Sequence, residues 1–134
     1  MKEPVWIDLP LVQAIHERLL AEHGGASGIR DRGLLDSALA RPRQIFHYDD
    51  AANLTRLAAV YMVGVAKNHA FVDGNKRIAF MTGYVFLARN GLLLIASETE
   101  ATETMLAVAA GCLNETELAE WLKKNTQAQK KHKR

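Results

Sequence analysis

The chain has one cysteine, three prolines, two tryptophans and 7% aromatic residues in 134 positions. A lone cysteine cannot close an intrachain disulfide, so a disulfide-stapled scaffold is excluded and a reduced, cytoplasmic setting is expected. Cys112, directly after Gly111, reads as a small buried apolar residue. No apolar run approaches the ~20 residues of a membrane span, and no membrane partner is expected. The opening "MKEPVWIDLP" lacks the hydrophobic segment of a signal peptide. Excess charge is also scarce, at +2. Four of the 17 basic residues are Lys130, Lys131, Lys133 and Arg134; the other 13 stand against 15 acidic residues, so the body is near −2. Nucleic acid is therefore not expected as a direct partner. Residues 127–134 read as a basic disordered tail and residues 1–126 as a single domain.

What the chain does have is helical periodicity. Asp8 can cap a first helix with Pro10 in its opening turn; Leu11, Val12, Ile15, Leu19 and Leu20 form its apolar stripe, and Gly24-Gly25 stops it. "DRGLLDSALA" reads as a short helix capped by Asp31 and ended before Pro42. "RPRQIFHYDDAAN" shows no helical period, and its Ile45, Phe46 and Tyr48 are expected on an exposed loop or flap. Two segments, about 54–67 and 74–90, are apolar on almost every side, as befits helices at the centre of a domain. "LLLIA" (92–96) is a short apolar stretch of undecided type. "SETE" (97–100) matches a capping box for a helix ending at Gly111, and Asn114 with Glu117 repeats the signal for a last helix. The fold class is all-α, with the two central helices antiparallel neighbours. The scattered His16, His23, His47 and His132 give no zinc spacing and read as surface residues. Trp6 and Trp121 read as packing residues of the outer helices.

Between the two central helices lies "NHAFVDGNKR" (68–77), the most polar stretch in the apolar middle of the chain. A helix start offers unpaired N–H groups and the positive end of the macrodipole, which together attract anions. Gly74 lets a ligand approach the backbone. Lys76 and Arg77 stand where cations cost a helix ~0.3–1 kcal/mol, a penalty that a bound phosphate would reverse. Asp73 is either an N-cap or a magnesium ligand, since magnesium takes one or two carboxylates plus phosphate oxygens. His69 is either a helix-terminal histidine or a general base, because imidazoles ordinarily titrate near ~6.5. Phe71 reads as an apolar pin for the loop, and Asn75 as a capping amide or phosphate donor. Taken together, these residue types describe phosphoryl or nucleotidyl transfer.

"HAFVDGNKR" resembles the signature of the Fic/Doc superfamily, and most closely its death-on-curing (Doc) branch, the toxins of type II toxin–antitoxin modules. "HGGASGIRDRGLLDSALARP" is similar to that branch's glycine-rich turn and following helix, and "FLARNGLLL" to the end of its central helix; the resemblance spans roughly residues 8–125. It implies a compact Fic/Doc-like helical bundle with the two central helices joined by the HAFVDGNKR loop. It also implies His69 as general base, Asp73 as ligand of a magnesium ion, Gly74, Asn75, Lys76 and Arg77 on the phosphates of ATP, and Phe71 as the loop's anchor. Lys76 stands where AMP-transferring Fic enzymes carry a second loop glycine, and Phe80 where they carry a second arginine. Both departures match the Doc branch. The expected reaction is thus transfer of the γ-phosphoryl group of ATP to a protein hydroxyl, with Lys76 taking part in catalysis and elongation factor Tu as the implied target. AMP transfer and a non-catalytic phosphate-binding module are the alternatives. The implied partner is an antitoxin whose disordered C-terminal segment folds onto the toxin; Ile45, Phe46 and Tyr48 are the expected contacts.

Overall fold

The computed structural model describes residues 1–129. Six helices carry the fold: α1 (Leu9–His23), α2 (Arg32–Tyr48), α3 (Leu54–Asn68), α4 (Asn75–Arg89), α5 (Glu98–Ala109) and α6 (Glu115–Lys124). Two short strands, β1 (Leu92–Leu94) and β2 (Thr126–Ala128), pair antiparallel with Leu93 opposite Gln127. The undecided "LLLIA" stretch is therefore largely strand. Gln127 and Ala128, expected in the tail, belong to its partner strand; Lys130 to Arg134 and His132 lie outside the described residues.

Most helix starts follow from their caps. The side chains of Asp8, Asp31 and Ser97 each accept an N–H from the first turn of their helix. Asn114 and Glu117 form a complete capping box at α6. α3 is the central element, with Leu57, Val60, Tyr61, Met62 and Val65 almost wholly buried. α4 packs against it so closely that a β-carbon on Gly83 would lie 2.3 Å from Met62 Sδ. α1 and α5 flank α4, while α2 and α6 pack on α3.

The segment read as a loop or flap is the C-terminal half of α2, which runs through Pro42 to Tyr48. Proline removes one N–H and crowds one carbonyl, a cost of ~3 kcal/mol or more within a helix. Here the cost is offset by burial, because Leu35, Ala38, Pro42 and Ile45 form one inner face. Ile45 is accordingly buried, and Phe46 packs edge-on against Trp6 with ring centroids 5.6 Å apart, which leaves only Tyr48 exposed. Cys112 is exposed. It lies in the turn between α5 and α6, beyond reach of the core. His16 is buried at 3% exposure, because it follows Val12 by one helical turn on the inner face of α1.

Candidate functional site

The loop between α3 and α4 is tied off residue by residue. Phe71 is buried, and its ring stacks on that of His16 at 4.0 Å. His16 Nε2 donates to the Asp73 carbonyl at 2.8 Å. The Asn75 amide closes the turn from within: Oδ1 accepts from the Phe71 N–H and Nδ2 donates to the Phe71 carbonyl, both at 3.0 Å. Its side chain is therefore spent on the loop, which leaves its backbone N–H to meet a ligand. A one-bridge β contact joins Phe71 to Ile29, and the Val72 N–H donates to the Gly28 carbonyl at 3.0 Å.

Asp73 is not the helix cap. That position belongs to Gly74, in the left-handed conformation at φ 75°, and no side chain caps α4. Asp73 Oδ1 accepts the Gly74 N–H at 2.8 Å, and Oδ2 accepts the Ala26 N–H at 3.2 Å across the molecule. The N–H groups of Asn75, Lys76 and Arg77 occupy the first turn of α4, where no intrahelical acceptor exists. The side chains of Lys76 and Arg77 project from that turn and are exposed. Among the described residues neither forms an ion pair. Three open amides and two unneutralised cations thus converge at one helix start.

His69 is the C-cap of α3, exposed and left-handed at φ 47° and ψ 44°. It lines a cavity of about 720 Å³ together with Asp73, Gly74, Asn75, Lys76 and Arg77. Phe80 and Tyr84 of α4, Leu94 of β1 and Met105 of α5 add apolar surface to the lining, beside the polar Ser97, Glu98 and Thr102. The volume falls in the range of small-molecule sites, ~300–1,000 Å³. His23, expected as an unremarkable surface residue, also lines it. Phe71, by contrast, lies beneath the cavity rather than in it.

A magnesium ion at this loop would have one loop carboxylate to bind, that of Asp73. Asp73 faces the cavity, and each of its oxygens keeps a lone pair beyond its one N–H contact. No cluster of three or more acidic, histidine or cysteine ligands exists among the described residues. The remaining ligands of a hard cation here would thus have to be phosphate oxygens and water.

Two side chains outside the loop support this geometry without having been expected at the site: His16, read as a surface residue, lies under the loop, and Arg30 lies beside His69. The signal for His16 was its place in the stripe of α1. Arg30 had none, because its side chain donates to the backbone carbonyls of His69 and Asn68, distant in sequence. Among the described residues, no helix is long and apolar enough to cross a membrane.

Residues 6–87 match the Fic/DOC family. The chain is 29% identical over 111 residues to "Protein kinase doc" of Escherichia phage P1, covering 83% of this chain and 87% of that protein. It is also 45% identical over 74 residues to "Toxin Doc" of Mycolicibacterium smegmatis, covering 54% of this chain and 57% of that one. The family match spans more than half the chain and contains the whole of the His69–Arg77 loop, and both relatives carry the same branch name. The chain belongs to the Fic/DOC family, on its Doc branch.

Proposed function

We propose that this chain is the toxin of a type II toxin–antitoxin module and transfers the γ-phosphoryl group of ATP to a hydroxyl on elongation factor Tu. The observation that carries the reading is the pairing, on one cavity, of an exposed imidazole with a helix start whose Lys76 and Arg77 form no ion pair among the described residues. A helix start bearing Lys76 and Arg77 is unfavourable until phosphates arrive. Phosphoryl transfer in turn asks a protein chiefly for positioning and charge stabilisation, and those are what this loop offers.

In the proposed reaction His69 takes the proton of the acceptor hydroxyl as its oxygen bonds to the γ-phosphorus. The bond from that phosphorus to the β–γ bridging oxygen breaks, and ADP leaves. Lys76 and the amides of Asn75 to Arg77 hold the charge on the phosphoryl oxygens. Asp73 would hold a magnesium ion, which when bound neutralises part of the triphosphate charge. The apolar side chains in the lining, Phe80, Tyr84, Leu94 and Met105, suit the uncharged part of the nucleotide. An antitoxin with a C-terminal segment that folds on binding restrains the activity. Its contacts are to be sought outside the inner face of α2, since Ile45 is buried and Phe46 packs on Trp6.

Purified chain, elongation factor Tu and ATP labelled at either the γ- or the α-phosphorus test this directly. The expected result is γ-label on the factor, with His69→Ala lowering the rate ~10²–10⁴-fold while Mg-ATP still binds. Transfer of α-label would replace the kinase reading with AMP transfer. Nucleotide binding without transfer to any acceptor would make the chain a binding module.

A further inference from the structure

Three successive carbonyls at the end of α3 are answered by two residues at the start of α2. The Arg30 side chain donates from Nε to the His69 carbonyl at 2.8 Å and from Nη2 to the Asn68 carbonyl at 3.4 Å. The backbone N–H groups of Arg30 and Asp31 both donate to the Ala70 carbonyl, at 2.7 and 3.0 Å. Terminal helix carbonyls carry partial negative charge, so a guanidinium placed there is favourable and its hydrogen bonds are charge-assisted.

The residue so held is unusual. His69 is the only non-glycine with a positive φ among the described residues. The left-handed region costs a residue bearing a β-carbon ~1–2 kcal/mol. Glycine would remove that cost and the imidazole with it. A position that must present a ring is thus kept in a conformation suited to glycine, and the direction of its Cα–Cβ bond follows from that conformation. Without the Arg30 side chain, the His69 carbonyl loses the only hydrogen bond from a charged group that it has among the described residues. Arg30 itself is not among the residues lining the cavity. Its effect on chemistry must therefore pass through the His69 backbone and not through contact with nucleotide.

We infer that Arg30 is a positioning residue for the proposed reaction, holding His69 left-handed so that its imidazole meets the acceptor hydroxyl at the cavity rim. The inference rests on the reading of His69 as general base. Misplacing a catalytic group by about 1 Å can cost ~10²-fold in rate, and that sets the size of the expected effect.

The test uses the full chain with Arg30→Ala, Arg30→Lys and His69→Ala, assayed for γ-phosphoryl transfer to elongation factor Tu. Arg30→Ala is expected to lower kcat up to about 100-fold with KM for Mg-ATP unchanged. Arg30→Lys, which keeps one cationic donor, should recover part of the loss. In isotope-labelled protein, the His69 backbone carbon shifts should leave the left-handed range in Arg30→Ala while those of His16 stay in place. The His16 shifts also report folding, and if Arg30→Ala loses them, Arg30→Gln carries the same comparison. Wild-type kcat with unmoved His69 shifts overturns the inference. So does a rise in KM matching the fall in kcat, which would make Arg30 a nucleotide contact. The two readings fail differently. Full-rate transfer by His69→Ala removes the base, whereas the His69 shifts in Arg30→Ala decide separately whether Arg30 holds the backbone.

Discussion

At the scale of single residues, the direction of the Asp73 carboxylate depends on a position that carries no side chain. A β-carbon built on Gly25 would lie 2.7 Å from Asp73 Oδ2, and Gly25 sits at φ 118°, where other residues are strained. The neighbouring Ala26 N–H is the donor that fixes the same oxygen. The glycine turn after α1 is therefore part of the carboxylate's seat, besides being the stop signal that its sequence suggests. Gly25→Ala is expected to push the carboxylate off the Ala26 N–H and weaken magnesium-dependent ATP binding, with the fold retained because the turn is exposed. Calorimetric titration with and without magnesium checks it: equal loss in both conditions would mean that the whole loop had moved, and no loss that Asp73 does not serve the metal. Asp73→Asn should give the same magnesium-specific loss while keeping an oxygen for one of the two N–H groups.

At the scale of elements, the contact between α3 and α4 sets the spacing of the two helices that hold the loop. Gly83 lets α4 approach until Met62 Sδ and Cγ lie 2.3 and 2.4 Å from where a β-carbon would be. Met62 is fully buried and cannot swing into solvent. Gly83→Ala should therefore destabilise the fold by the ~1–3 kcal/mol typical of overpacking. Shortening the neighbour relieves that clash, so the double variant Gly83→Ala with Met62→Ala should be less destabilised than the sum of the single changes, a coupling that urea denaturation of the four proteins measures. Element boundaries were mostly legible in the sequence for a local reason. Asp8, Asp31, Ser97 and Asn114 each act on N–H groups within three residues, and that is the range a sequence pattern can report. The second half of α2 was not legible, because its helicity depends on burying Pro42 and Ile45 against distant elements that outweigh proline's local penalty. The same division holds at the site. The loop residues from His69 to Arg77 lie together in sequence and announce an anion site, whereas His16, Gly25 and Arg30 join it only through the fold.

At the scale of the whole molecule, the two ends of α4 do different work. Its N-terminal end opens on the cavity. Its C-terminal end gathers segments from near both ends of the described residues: Asn90 exchanges two hydrogen bonds with Val5, at 2.8 and 3.0 Å, and the Gln129 N–H donates to the Gly91 carbonyl at 3.0 Å. The N-terminal segment before α1 has no regular structure of its own, yet Trp6 stacks on Phe86 with centroids 6.0 Å apart, and the Ile7 N–H donates to the Tyr61 hydroxyl at 3.0 Å in the buried core. Tyr61 thereby joins the segment to α3, and its surroundings make that joint sensitive to alkali. Burial raises its pKa above the ordinary 10.0, against a smaller opposing effect of the Ile7 N–H. The folded state therefore keeps the phenol neutral at a pH where the unfolded chain releases its proton. The associated stability is complete below the unfolded value and is lost as pH climbs from there through the raised folded value. Tyr61→Phe removes this titration but also deprives the Ile7 N–H of its acceptor, which costs ~1–3 kcal/mol for a buried donor. The variant should consequently be weaker than wild type at neutral pH and lose less additional stability above pH 10, as read by urea denaturation at both pH values. An alkaline loss of the same size in Tyr61→Phe would assign it to other groups and leave Tyr61 only the role of hydrogen-bond acceptor for the N-terminal segment.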